Sequence, residues 1–285
     1  MKKSRWQKRK EKNTLKKIFF RGMFFCLLIG ITYFLIWSPF LWIENIEIRS
    51  SKVPLYYTSL EIREIVENNL EEKLWRIISQ KSIALISSSK IKNDILDQFP
   101  EINEVIIQRK LPNILIVKIW ERESIGVWCQ YHSTSTEEFI ERKIDQCFYI
   151  DQQGIIYRQA PLMKGNLVLN IYSAKNQTAD IRTQVTSPEI IEFILAIEQG
   201  IEKIKMADKK PLTIIDFEII SLEDLRVTTL NDYQIYFNPA YSTELQLQAL
   251  EMILEKEIKQ DYVSLEYIDL RIQDRVYYKV RPEKN

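Results

Sequence analysis

The alternation of apolar and polar positions divides the chain into three stretches of different texture. The first is an apolar run without a charge, "GMFFCLLIGITYFLIWSPFLWI", residues 22–43. A hydrocarbon core of ~30 Å needs about 20 such residues in a helix, so this run is predicted to span a membrane. The second stretch mixes two periods. Ile43, Ile46 and Ile48 read as a strand ending at the turn-prone Ser50 and Ser51. Thr58 and Glu61 form a capping-box pattern, and Leu60, Ile62, Ile65, Val66 and Leu70 follow at helical spacing. An irregular apolar patch, Leu74, Trp75, Ile77 and Ile78, precedes three serines, Ser87, Ser88 and Ser89. Ile91, Ile95, Leu96 and Phe99 then predict a short amphipathic helix that stops before Pro100. Residues 102–122, "INEVIIQRKLPNILIVKIWER", give two alternating runs around a turn at Lys110-Leu111-Pro112-Asn113. The predicted order is strand, helix, helix, strand, strand. That is a small α+β domain with its helices on one face of a short sheet.

The third stretch is rich in strands. They are predicted at residues 125–129, 147–150, 155–157, 167–171, 213–220, 224–229, 233–237, 265–272 and 276–280. Asp151 to Gly154 makes a tight turn in which Gly154 supplies a positive φ, and Asn231-Asp232 makes another bend. Ser187-Pro188-Glu189 caps a helix carrying Ile190, Ile191, Ile194, Leu195, Ile201 and Ile204. Thr243 opens a second helix, with Leu245, Ala249, Leu250, Ile253, Leu254 and Ile258 on one face. The expected plan is a basic tail (1–21), a transmembrane helix (22–43), a small α+β domain (44–122), a β-rich domain with two flanking helices (123–280) and a disordered tail (281–285). No internal repeat is visible.

Charge fixes the orientation. The net charge of +1 conceals a basic block, Lys2, Lys3, Arg5, Lys8, Arg9, Lys10, Lys12, Lys16 and Lys17, opposed only by Glu11 up to that point. Beside an apolar span, such a block reads as a cytoplasmic flank, not a nucleic-acid arm. The N-terminus is therefore expected in the cytoplasm and everything after Ile43 outside, as a single-pass protein. A cleaved signal peptide needs a shorter apolar core and a small-residue cleavage site, whereas this run leaves through Trp-Ser-Pro-Phe-Leu-Trp. Cys129 and Cys147 lie on the outer side, where disulfides persist. If the runs that carry them pair as neighbouring strands, the two sulfurs staple the base of the polar segment between them. The alternative is two free, buried thiols.

Candidate chemistry is sparse. His132 is the single histidine and sits in a Ser/Thr-rich segment. The chain has six glycines and no G-x-S-x-G, P-loop, H-E-x-x-H or Cys-x-x-Cys pattern. No catalytic residue, cofactor, metal or small-molecule substrate is expected, and the reading is an anchored protein that binds other proteins. A sheet does so by adding a strand at an exposed edge. In "YIDLRIQDRVYYKV", Ile268, Leu270 and Ile272 alternate with Asp269 and Arg271, and Tyr277 and Tyr278 fall on opposite faces. A last strand has one covalent neighbour, so its outer edge is a candidate. A plain final strand packed on its core fits the pattern equally.

Taken in order, these features resemble one family, the bacterial cell-division proteins FtsQ and DivIB. The resemblance covers nearly the whole chain. Its most specific part is "FPEINEVIIQRKLPNILIVKIWERESIGVW", with Pro100, Val105, Arg109, Pro112, Glu121, Arg122 and Trp128 in the family's order. "CFYIDQQGIIY", with Gly154 in its turn, and the closing Asp269-Leu270-Arg271 resemble further signatures. The resemblance implies a POTRA domain after the membrane helix, then a larger β domain. It implies a non-enzymatic divisome scaffold at the septum that binds FtsB/FtsL-type (DivIC/FtsL) partners and helps control septal peptidoglycan synthesis. It places the partner segment on the last strand, at Arg271, Ile272, Val276, Tyr277 and Tyr278. The Cys129/Cys147 pair is not a general feature of that family. The rival from another class is a POTRA-type envelope transport or chaperone module, although such proteins string several modules before a barrel, and no barrel pattern follows here.

Overall fold

The computed structural model describes residues 5–51, 56–74, 78–79, 81–136, 139–162, 168–174, 179–205, 211–259 and 264–281. The chain divides into two compact units, Met1–Glu121 and Arg122–Asn285.

The first unit opens with helix α1 (Arg5–Trp37), whose apolar part, Phe19–Trp37, has a mean hydropathy of 2.0 and is exposed throughout. An exposed apolar helix near the N-terminus is what a signal anchor or a signal sequence presents. It ends earlier than the predicted span of residues 22–43. Ser38 precedes Pro39, which disfavours the helical region, and its ψ is 122°. Leu41 is buried, Trp42 bridges to Ser82, and the Ile43 amide donates to the Lys81 carbonyl at 2.9 Å. Residues 38–43 therefore belong to the folded unit, not to the helix.

Strand β1 (Asn45–Ser50), helix α2 (Tyr56–Glu71), the two-residue strands β2 (Lys73–Leu74) and β3 (Ile78–Ser79), helix α3 (Ser88–Gln98), and strands β4 (Ile102–Lys110) and β5 (Ile114–Glu121) follow. The predicted strand-helix-helix-strand-strand order is present, with the β2–β3 pair added between the helices. The sheet order is β1-β5-β4, with β1 parallel and β4 antiparallel to β5. Ile62, Ile65, Val66, Leu70, Ile91 and Ile95 pack onto Ile46, Val105, Leu115, Val117 and Ile119. Ser87 caps α3 by accepting from the Lys90 amide. Two details differ from expectation. The backbone is already helical at Tyr56, so Thr58 lies inside α2, and Leu60 is 52% exposed, outside the buried stripe. Trp75 and Ile77 lie outside the described residues.

The second unit contains β6 (Gly126–Thr136), β7 (Phe139–Ile150), β8 (Ile156–Ala160), β9 (Asn170–Ala174), α4 (Pro188–Ile201), β10 (Ile214–Ser221), β11 (Asp224–Thr229), β12 (Gln234–Phe237), α5 (Thr243–Ile253), β13 (Leu265–Asp269) and β14 (Tyr277–Val280). Among the described residues the strands form one mixed sheet in the order β14-β13-β12-β11-β10-β9-β6-β7-β8. Register places two adjacent rows across it, and they face opposite ways. Phe148, Trp128, Ile171, Phe217, Val227, Ile235, Ile268 and Tyr278 form one row, most of it buried with α4 and α5 residues. Cys147, Cys129, Tyr172, Glu218, Arg226, Tyr236, Asp269 and Tyr277 form the other. This alternation is why the apolar half of each strand was readable as core.

The segment between the cysteines departs from the prediction. It forms strand on both sides, and β6 and β7 pair as far as Thr136 and Phe139. Among the described residues, no further strand joins β6 beyond Tyr131, and β8 joins β7 only from Cys147 onward. The sequence of this ribbon is mostly polar, with Phe139 and Ile140 adjacent instead of alternating, so the usual period-two pattern is missing. Cys129 and Cys147 sit directly opposite each other and are joined in a disulfide.

Gly154 has φ +73°, and a Cβ there would lie 2.1 Å from the Thr186 carbonyl oxygen. Gly154→Ala is expected to cost about 1–2 kcal/mol from the left-handed backbone alone, with the displaced Thr186 segment adding to it. A urea midpoint shift of the purified outer part measures it, and an unchanged midpoint refutes it.

Candidate functional site

Strand edges are where this fold can accept another chain, and the edges differ. On β8, Ile155 bridges to Gln184, the Ile156 amide donates to the Thr183 carbonyl, and the Arg182 amide donates to the Ile156 carbonyl. The segment 182–185 thus covers that end of the sheet. At the other end, among the described residues, β14 pairs with β13 alone, and all four of its residues are exposed. In the first unit β4 is also an edge. It presents Glu104, Gln108, Arg109 and Lys110 to solvent, the charged dressing that discourages strand addition. Exposed β14 residues are instead Tyr277, Tyr278 and Val280, at 46, 43 and 45%, around Lys279.

The corner feeding β14 is tightly held. Arg271 follows β13 and curls back onto its own strand. Its Nε and Nη2 donate to Asp269 at 2.9 and 2.6 Å, and its Nη1 donates to Asp224 at 2.7 Å. The Arg271 amide donates to the same Asp269 carboxylate at 3.0 Å. Arg226 also donates to Asp224, and the guanidinium carbons of Arg226 and Arg271 lie 4.8 and 4.9 Å from the Tyr236 ring centre. Tyr236 stacks on Tyr267 with centroids 5.2 Å apart. Two cations on one aromatic, each neutralised by carboxylates, make a rigid buttress across β11, β12 and β13.

The same contacts shift the acid range of Asp269. Its burial favours the neutral form, but hydrogen bonds from the Arg271 side chain and amide outweigh burial and hold the carboxyl below its usual range. A depressed folded value means stability that is present above the unfolded pKa, about 3.9, and lost as pH falls through the folded one. Acid titration should therefore loosen this corner only below about pH 4. NMR of the Asp269 carboxyl carbon checks this, and a midpoint at or above the ordinary carboxylate range would contradict it.

The five residues expected to contact a partner do not form one uniform strand. The predicted strand 265–272 stops at Asp269, because Arg271 turns back and Asp274 takes φ 60° in the connection to β14. Arg271 is therefore largely occupied by its own corner. Ile272 is 50% exposed and Val276 is partly buried against the core. Tyr277 lies opposite Asp269 on the open face, and Tyr278 lies opposite Ile268 on the helix side. Ile272 and Val276 line a groove with Leu245, Ala249, Met252 and Ile253 of α5. Leu245, expected on the core face of α5, is 63% exposed and belongs to this groove. Arg281, expected to begin a loose tail, is instead held, and residues 282–285 lie outside the described residues. The Arg281 amide donates to the Ser264 carbonyl at 2.7 Å and its guanidinium reaches Asp232.

His132 is placed on the ribbon, where its Nδ1 lies 2.7 Å from Asp145. Sequence reasoning missed one pairing. Arg122 and Asp151, drawn from two separate signatures, form an ion pair in which Asp151 is buried and Arg122 partly so. Asp151 also accepts from the Gln153 and Ile155 amides at 3.0 and 2.9 Å, so it organises the turn that holds Gly154. Glu121, one residue before, accepts from Ser50 in the first unit at 3.3 Å. The adjacent Glu121 and Arg122 thus each have a partner within their own unit. No protein-family model matches this chain, and no curated protein matches it.

Proposed function

We propose that this chain is a division-septum scaffold of the FtsQ/DivIB type. In this reading α1 anchors it in the cell membrane with the N-terminus in the cytoplasm, the first unit is a POTRA domain, and the β-rich unit outside holds a partner. The partner is a coiled-coil-bearing membrane protein of the FtsB/FtsL kind, whose extended segment adds to the outer edge of β14. The chain carries out no catalysis; its effect on septal wall synthesis runs through the proteins it gathers.

The observation that carries the reading is the uncovered, aromatic edge of β14 beside Asp269-Leu270-Arg271. Backbone groups along that edge supply affinity, while the side chains that flank it select the partner. The signature residues support the reading because they serve defined purposes. Arg122 with Asp151 and Arg271 with Asp269 each hold a corner of the β-rich unit. The test is cellular: a fluorescent fusion of the full chain should gather at the septum, and depletion should produce filaments. A fusion spread evenly around the envelope of cells that divide normally on depletion would refute it.

A further inference from the structure

We propose that the end of the first unit beside α1 is a membrane-docking surface. Phe40, Trp42 and Leu111 enter the headgroup layer of the bilayer that α1 spans, and Lys81 and Lys110 lie over the lipid phosphates. This rests on the reading of α1 as a retained anchor.

The apolar part of α1, Phe19–Trp37, is 19 residues long, about 28 Å at 1.5 Å per residue, close to the ~30 Å of a hydrocarbon core. Trp37 then stands at the membrane face, and residues 38–42 begin in the headgroups. No linker follows. The Ser82 hydroxyl donates to the Leu35 carbonyl at 2.9 Å, inside the last turn of α1. The Ile83 amide donates to the Leu41 carbonyl at 2.8 Å, and the Ile43 amide to the Lys81 carbonyl at 2.9 Å. The folded unit therefore starts at the helix end and cannot drift from the membrane on a tether.

The β4–β5 turn is tied to the same place. The Asn113 carbonyl accepts from the amides of Glu44 and Asn45, and its side-chain amide donates to the Glu44 carboxylate at 2.9 Å. Leu111, at the tip of this turn, is 72% exposed. Phe40 is 64% and Trp42 41% exposed on the chain immediately before Glu44. A single exposed leucine is ordinary. Three large apolar groups held around one membrane exit form an interfacial anchor, because aromatic and aliphatic groups partition into the headgroup boundary. Lys81 and Lys110 are exposed on the two segments that flank the exit. Cations there are drawn to anionic lipid, and the Glu44 carboxylate at the exit already accepts from Asn113.

The test uses the full chain with Cys26→Ser, in which the remaining cysteines are bonded to each other. An environment-sensitive fluorophore is placed at Leu111→Cys or, as the control, at Glu104→Cys. Glu104 is seven residues back toward the start of β4, roughly 24 Å away at about 3.4 Å per residue. Both proteins are reconstituted into vesicles of phosphatidylethanolamine and phosphatidylglycerol containing headgroup-nitroxide lipid. Several-fold stronger quenching at position 111 than at 104, with a blue-shifted emission, is the expected result. Equal, weak quenching at both positions in protein that co-floats with the vesicles would overturn the docking surface and leave the anchor standing. Protein that does not co-float would overturn both.

Discussion

A chain carrying Ile272→Ser and Tyr277→Thr is expected to fold like the wild type and to lose the coiled-coil partner proposed for it. Both side chains are about half exposed, so their replacement should change stability by no more than about 0.5 kcal/mol. At an added-strand interface they flank the incoming backbone, and Tyr277 belongs to a residue type that dominates interface energetics. Removing a central contact of this kind costs about 2 kcal/mol or more, roughly a thirty-fold loss of affinity. Co-purification from cells and titration with the partner's outer segment both measure it. Undiminished binding by a variant with a wild-type melting curve would remove β14 as the contact edge. Arg271→Glu is a poorer probe, although the sequence suggests it. It would gather three carboxylates, Asp224, Asp269 and the new one, around an emptied corner, and loss of binding would then be inseparable from loss of structure.

Replacing Cys129 and Cys147 together by alanine is expected to produce the largest fall in stability of the β-rich unit. The bridge closes a loop with a sequence separation of 18, for which chain entropy alone gives about 3 kcal/mol. At ~2–4 °C per kcal/mol for a unit of this size, the melting temperature should drop by about 6–12 °C. Both sulfurs are buried, at 1% and 4% exposure, with Val127 and Ala160 around them, so packing is lost as well. The two strands already pair on either side, which keeps the variant able to fold. Calorimetry of the two proteins decides the point, and coincident transitions would show that the ribbon holds itself without the bridge. Mass mapping without reductant checks the bond directly.

Much of the fold was legible because of burial periodicity. Of the positions read as one helix face, Ile190, Ile191, Ile194 and Ile201 are buried in α4 and Ile204 just beyond its end, while Leu195 is only partly buried. Proline and glycine marked real features, as at Gly154 and at the Ser187-Pro188 helix start. The misses share a cause. Residues 38–43 are as apolar as the helix before them, and composition does not reveal that the backbone there leaves the helix and bonds to residues 81–83 of the folded unit. The segment 132–145 is mostly polar, with Phe139 and Ile140 adjacent instead of alternating, so no period-two pattern advertised a strand. The end of β13 at Asp269 depended on where the Arg271 side chain found carboxylates, one of them 47 residues away.

The sequence by itself determined the apolar N-terminal helix, the order of elements in both units, the core faces and the candidate last strand. Those properties follow from local spacing and from the free energy of hiding apolar surface, which act residue by residue along the chain. Only the tertiary structure decided that β14 is an uncovered edge while 182–185 covers β8, that Arg122 meets Asp151, and that the β4–β5 turn lies beside the exit of α1. Each of these depends on which distant segments become neighbours. Strand order and the direction of a buried charge are fixed by those long-range contacts, and no local pattern records them.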